Sequence, residues 1–322
     1  MVKTKKKKKK SMTSVHIPVL LAEIIKFSKI ETGGIIFDAT LGAGGYALSL
    51  LEKNDKVIYY GMDKDIDMIN IARKTLTNFS CVKYVNDDYN NLGKIIEENS
   101  LLNSVDYFMF DLGVSSVHLD SPDRGFSFRF DSRLDMRLDR TQKISAYEIV
   151  NSYPENEIAD IIYKYGEERF SRRIAKNIIH YRNTKPIETA SELADIVLKS
   201  YPKPKKFGDN RTHPATRTFQ AIRIAVNNEL ENLDETLRNA AYSLKCGGRL
   251  VVVSFHSLED RIVKNTFKYL AGEHLAPENT DFKSEFSILT KKPIEPNKDE
   301  LNMNIRSRSA KLRVLEKIRN IN

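Results

Sequence analysis

The sequence predicts an α/β fold: a doubly wound, mostly parallel sheet with an all-helical domain inserted into it. Three observations lead there. Short apolar runs alternate with helix-length stretches through the first 110 residues, a glycine-rich turn follows the first of those runs, and the alternation then stops until about residue 250.

The runs at residues 35–37, 57–60 and 105–110, the last interrupted only by Asp106, are mostly apolar rather than alternating, the pattern of strands buried on both faces. Helix-length stretches at 46–53, 66–76 and 92–99 separate them, with a weaker strand at 81–85, so the order reads βαβαβαβ. Crossovers of that kind place ligands at the carboxyl ends of the strands. Residues 111–140 are rich in Asp, Arg, Ser and Phe, and 145–200 read as helices without a strand. A loop, Lys203-Pro204-Lys205-Lys206-Phe207-Gly208, closes the insertion. A helix over 214–231 follows, with Pro214 in its first turn and Phe219, Ile222, Val226 and Leu230 as an apolar stripe. Gly247 and Gly248 read as a turn before a fifth strand at 250–255, residues 271–304 as irregular chain, and 306–316 as a last strand. The expected organisation is a disordered lysine-rich tail at 1–12, a discontinuous sheet domain at 13–138 and 213–322, and a helical substrate-recognition domain at 139–212.

There are 52 Lys+Arg against 43 Asp+Glu, a formal net charge of +9. Seven of the lysines stand in the first ten residues, and residues 11–300 hold 39 basic and 42 acidic side chains. A uniformly basic nucleic-acid coat is excluded; RNA affinity has to come from local patches. Cys81 and Cys246 have no CxxC spacing and no Cys/His cluster beside them, which argues against a disulfide scaffold and against a metal site. The expected setting is reducing and cytoplasmic. The apolar stretch at 15–25 is broken by His16, Pro18 and Glu23, so neither a secretory signal nor a membrane span is expected. The lysine run reads first as a solvated tail, with a nuclear address as the other use of such a run.

Gly42-Ala43-Gly44-Gly45-Tyr46-Ala47 follows the first strand and opens a helix, matching G-x-G-x-x-G/A. By itself that pattern fits a dinucleotide, another nucleoside cofactor or a bare turn. Asp38 separates these readings. It stands four residues before Gly42, where a carboxylate repels a pyrophosphate but suits the ammonium of S-adenosyl-L-methionine. Asp63 ends the second strand, where an acid can accept ribose hydroxyls. Asp87-Asp88-Tyr89 follows the third strand and Asp111 the fourth, giving an acidic rim suited to a cationic sulfonium, with Tyr89 as one wall of an adenine pocket. The competing role for each acid is to cap the next helix.

Six longer motifs appear in order: Asp111-Leu112-Gly113-Val114-Ser115-Ser116, Arg124-Gly125-Phe126-Ser127-Phe128, Leu134-Asp135-Met136-Arg137, Tyr165-Gly166-Glu167-Glu168-Arg169-Phe170, His213-Pro214-Ala215-Thr216-Arg217-Thr218-Phe219-Gln220-Ala221 and Ser254-Phe255-His256-Ser257-Leu258-Glu259-Asp260-Arg261. Together they resemble the MraW/RsmH family over residues 16–316. The resemblance implies a class I S-adenosylmethionine-dependent methyltransferase sheet with a helical insertion after the fourth strand. It also implies methylation of the exocyclic N4 of a cytidine in the decoding region of 16S rRNA, with that RNA or the small ribosomal subunit as partner. The cofactor contacts it implies are Gly44, Gly45, Tyr46, Asp63, Tyr89, Asp111 and His118. Two of these depart from the family pattern, which commonly has His in place of Tyr46 and Gln in place of His118. The sequence is compatible with a monomer and with a homodimer.

At the target base, Asp111 is a candidate to accept an amine N–H, or else serves only the cofactor. His256, just past the fifth strand, is the second catalytic candidate, while Ser257 and Asp260 read as a capping box. Phe126 and Phe128 are candidates to stack on a displaced base, or else anchor their loop. Arg217 and Arg223, with Arg211, Lys203, Lys205 and Lys206, form the one concentrated basic patch expected to meet RNA phosphates. The alternative function is a catalytically silent RNA-binding assembly factor that keeps the fold. An NAD-dependent oxidoreductase rests on the glycine pattern alone, and Asp38 counts against it.

Overall fold

The computed structural model describes residues 18–201, 213–273 and 284–320. The lysine tail, Lys203, Lys205, Lys206 and Arg211 lie outside the described residues. The first half of the chain runs α1 (Leu21–Ser28), β1 (Gly34–Asp38), α2 (Gly45–Leu51), β2 (Val57–Asp63), α3 (Ile66–Thr75), β3 (Val82–Asn86), α4 (Leu92–Glu98) and β4 (Val105–Asp111). Then come α5 (Ser116–Asp120), α6 (Ala146–Ser152), α7 (Glu155–Gly166), α8 (Ser171–Arg182), α9 (Ala190–Lys199), α10 (Ala215–Asn227) and α11 (Leu233–Ser243). The chain ends with β5 (Leu244–Ser254), α12 (Ser257–Leu270), β6 (Phe286–Ile288), α13 (Lys298–Met303) and β7 (Lys311–Lys317).

Seven strands form one sheet in the order β3-β2-β1-β4-β5-β7-β6. Strands β1 to β5 pair in parallel, and β7 runs antiparallel between β5 and β6. The chain order reverses between β1 and β4, so the crevice of a doubly wound sheet opens beside the carboxyl ends carrying Asp38 and Asp111. Continuous apolar strands follow from helices on both faces. Phe37, Tyr60, Phe108, Phe110, Leu250 and Val252 pack under α4, α11 and α12. Their sequence neighbours Ile36, Tyr59, Tyr107, Met109, Val251 and Val253 pack under α1, α2 and α3.

The helical insertion has its own core, in which Ile149, Ile158, Ile174 and Leu193 meet one another. That core is wider than residues 139–212. It takes in Phe126, Leu134 and Met136 from the preceding loop and Ala215, Phe219, Ile222 and Val226 from α10. Helices α7 and α10 cross closely at Gly166, where a Cβ would come within 2.7 Å of the carbonyl oxygen of Arg217.

Four local expectations change. Helix α10 stops at Asn227 because Asn228 turns left-handed (φ 58°), and Leu230 packs on the sheet instead of on the stripe. Gly247 (φ 84°) lies inside β5, at a register irregularity against β4, rather than in a turn before it. The last strand begins at Lys311, because Ile305–Ser309 forms a 3₁₀ turn. Residues 284–304 are more regular than expected and contain β6 and α13.

Candidate functional site

The glycine turn is held from below by an acid. Gly42, at φ 53°, donates its N–H to Oδ2 of Asp63 at 2.8 Å, and the other oxygen of Asp63 takes the N–H of Asp65 at 2.8 Å. Gly44, at φ 83°, caps α2, whose first N–H groups have no partner within the helix. Tyr46 spends its side chain in the core: its hydroxyl donates to the carbonyl of Val19 at 2.7 Å. That leaves its backbone for a ligand.

Asp38 is fully buried and accepts from Thr40 N at 3.1 Å and from the hydroxyl of Tyr59 at 2.9 Å. Both of its oxygens are engaged within the protein, which favours receipt of an ammonium through backbone or water over direct receipt. Asp111 differs. Its N–H donates to Thr40 Oγ1 at 2.6 Å, and its Oδ1 is enclosed without any hydrogen-bond partner. Burial, with Asp38 and Glu259 nearby, pushes its carboxyl up to about 8. Burial likewise raises Asp38 to about 7, against the bonds from Thr40 and Tyr59, and Asp63 to about 6, against its two backbone bonds. None of the three has a cationic partner among the described residues. A positive charge placed beside such a set would favour the charged carboxylates.

Asp65 is the compensated counterpart. It caps α3 through the N–H of Asp67, takes Nε2 of His118 at 2.8 Å and takes the guanidinium of Arg124 at 2.6 Å. Burial works against its charge, but His118 and Arg124 outweigh it and hold the carboxyl low. His118, named as a cofactor contact, makes structural bonds here: Nδ1 accepts the N–H of Ser115, which puts the proton on Nε2 toward Asp65. Sequence reasoning missed this buried cluster altogether.

Tyr89 donates its hydroxyl to the carbonyl of Glu229 at 2.8 Å and sets its ring edgewise on Phe110. Asp88 caps the turn at Asn90 and pairs with Lys64 at 2.7 Å, so capping describes Asp88, while Asp87 accepts from the side chain of Asn91. A cleft of about 630 Å³ opens there, lined by Lys64, Asp65, Asn86, Asp87 and Asp88 and by Asp139–Gln142. Its volume is in the range of small-ligand sites. It adjoins Asp63 over the ends of β2 and β3, to one side of the glycine turn.

Beyond β5, His256 rather than Ser257 caps α12. Its Nδ1 accepts the N–H of Glu259 at 3.3 Å, and Oε2 of Glu259 reaches back to the N–H groups of Phe255 and His256. The capping box is one residue earlier than expected, because Asp260 is drawn away to Arg313 at 2.7 Å. Nε2 of His256 lies 3.1 Å from Oε1 of Glu259, yet off the hydrogen-bonding direction, and is left without a partner. Ligand atoms of Glu229, His256 and Glu259 lie within 4.8 Å of one another, the spacing of a metal site. Arg223 already supplies the cation, since it grips both oxygens of Glu229 at 2.9 and 2.7 Å. A methyl group added at Gly113 would stand 3.8 Å from Oε1 of Glu259 and 3.9 Å from Arg223, so this cluster adjoins the loop after Asp111.

The substrate candidates divide. Phe126 is buried in the helical core and has no face to offer a base. Phe128 is half-buried, backed by His213 at 4.7 Å and Phe219 at 5.0 Å. Arg223 is corrected from a phosphate contact to a buried ion pair. Arg217 is exposed and donates to the carbonyl of Glu167 at 3.2 Å.

The MraW methylase family model matches residues 13–318. The chain belongs to that family. Proteins named ribosomal RNA small subunit methyltransferase H are similar along nearly the whole chain. That of Caldicellulosiruptor saccharolyticus is 46% identical over 310 residues, covering 94% of this chain and 99% of its own. That of Clostridioides difficile is 44% identical over 310 residues with the same coverage. The cofactor is S-adenosyl-L-methionine, and the uncompensated carboxylates fit its two positive charges. No helix among the described residues is long and apolar enough to cross a membrane.

Proposed function

We propose that this MraW methylase transfers a methyl group to the exocyclic N4 of a cytidine in the decoding region of 16S rRNA. The observation that carries the reading is the lone Oδ1 of Asp111, a buried acceptor with nothing to accept from at the carboxyl end of β4. Bound beside it, S-adenosylmethionine supplies an activated methyl group on a sulfonium.

A cytosine amine is a poor nucleophile because its lone pair is shared with the ring, so positioning is the enzyme's main task. In its charged form Asp111 accepts one amine N–H, orients the nitrogen, and is the group at hand for the proton that nitrogen sheds. His256 is less well placed for that work, since Nδ1 is spent on α12 and Nε2 faces Glu259. Asp63 holds the glycine turn, Asp38 holds Thr40 ahead of it, and both set the negative potential; Tyr89 walls the crevice toward α11. Phe128, backed by His213 and Phe219, is the aromatic face available to a displaced base. The RNA or the small subunit is the partner, and Arg217 is an exposed cation on α10 toward it.

Mass mapping of small-subunit rRNA from cells with and without the protein tests the reading. The expected result is one cytidine in the decoding region that loses a methyl group with the gene and regains it with the wild-type chain but not with Asp111→Asn. An unchanged methylation map overturns it and favours the silent assembly factor.

A further inference from the structure

Residues 169–185 hold Arg169, Arg172, Arg173, Lys176, Arg182 and Lys185 and no acid, so the patch on α10 is not the only basic one in the chain. Packing sorts these six. Arg182 is drawn to the carbonyl of Val150 at 2.9 Å, Lys185 pairs with Glu192 at 2.6 Å, and Arg169 lies over the ring of Phe170. Arg172, Arg173 and Lys176 are exposed, and no carboxylate among the described residues forms an ion pair with them. Other exposed cations here do find one, as Arg140 finds Asp123 and Arg261 finds Glu167.

The free three share a face. Ser171, Ile174, Ala175 and Ile178 are the buried side of α8. At 3.6 residues per turn, Arg172, Lys176, His180 and Arg173 fall in an arc of about 100° on the opposite side. The amino end of that row is fixed near the crevice. Glu167, at the corner between α7 and α8, accepts from Ser257 Oγ at 2.7 Å and from Arg261 at 2.9 Å, both in the opening turns of α12 next to His256. From Arg172 the row leads outward, about 6 Å along the axis to Lys176 and about 12 Å to His180.

We propose that this face of α8 is the track for the RNA strand flanking the target nucleotide, with Arg172, Arg173 and Lys176 each neutralising a phosphate. It rests on the RNA reading given under Proposed function. A row of unpaired cations along one helix face suits a backbone contact, which positions a strand without reading its sequence.

Fluorescence anisotropy with a labelled single-stranded RNA across a salt series, repeated with purified small ribosomal subunits, tests this on the full chain. Each phosphate contact contributes about 0.7 to the slope of log affinity against log salt on a single strand. R172Q/R173Q/K176Q should lower that slope by about 2 and weaken RNA binding about a hundredfold at 0.1 M salt. Affinity for S-adenosylmethionine should stay as in wild type, and R172K/R173K/K176R should restore the slope. Should the triple variant fold poorly, R172Q and K176Q alone should each remove about 0.7 of slope. An unchanged slope in a protein that binds RNA overturns the track. Loss of subunit binding with RNA binding intact also overturns it, in favour of an acidic protein contact. If wild type binds neither probe, the RNA reading itself fails.

Discussion

Asp111→Asn should abolish most methyl transfer while making the ligand-free protein more stable above neutral pH. The amide keeps the shape of the side chain but cannot take a proton, so a loss of roughly 10²- to 10⁴-fold in rate is expected. The stability effect follows from the folded carboxyl titrating at about 8 against 3.8 for the free side chain. Between those values the native state binds more protons than the unfolded chain, so stability falls as pH rises through the window. The asparagine variant escapes that share. At about one pKa unit per 1.4 kcal/mol the gain at pH 8 is at most about 5 kcal/mol and should vanish below pH 4. Urea unfolding of both proteins at pH 4 and pH 8, with single-turnover methylation beside it, makes the check. A variant that is less stable at pH 8, or that retains wild-type turnover, removes Asp111 from its proposed role.

The second large effect is Arg223→Ala. The guanidinium is the cation for Glu229 and stands beside Glu259, whose carboxyl is held low by His256 and Arg223 against the cost of burial. Removing it leaves two buried carboxylates facing each other, and stripping one partner from a buried pair typically costs about 3 to 5 kcal/mol. Because the carbonyl of Glu229 also accepts from the hydroxyl of Tyr89, the loss should reach Tyr89. Chemical denaturation should show that loss, and a double variant with Glu229→Gln should recover a good part of it. A cost under about 1 kcal/mol would mean that Arg223 is free for phosphate after all.

The parts of this site that the sequence discloses are those fixed by strand ends. An Asp at the end of β1, of β2 and of β4 is visible because strands buried on both faces are mostly apolar, so the acid that ends each one stands out. The glycine turn is visible for the same local reason. What stays hidden depends on partners far along the chain. His118 and Arg124 reach Asp65 across 53 and 59 residues, and no local pattern distinguishes such a pair from a ligand contact. Phe126 reads as a loop aromatic until the helical core is seen to close over it. His256 was hidden by its type, because His is not among the usual helix caps and Ser257 is. The acid-free stretch at 169–185 is plain in the sequence, but which of its cations remain unpaired is decided by packing.

Calorimetric titration of S-adenosylmethionine at pH 6, 7 and 8, in two buffers of different protonation enthalpy, bears most directly on the carboxylate crevice. Without ligand, Asp38, Asp63 and Asp111 are pushed up to about 7, 6 and 8, so a cationic ligand should expel protons and bind roughly ten- to a hundredfold more tightly at pH 8 than at pH 6. S-adenosylhomocysteine, with its neutral sulfur, should expel fewer. Affinity that does not change with pH, with no proton released in either buffer, would contradict the account.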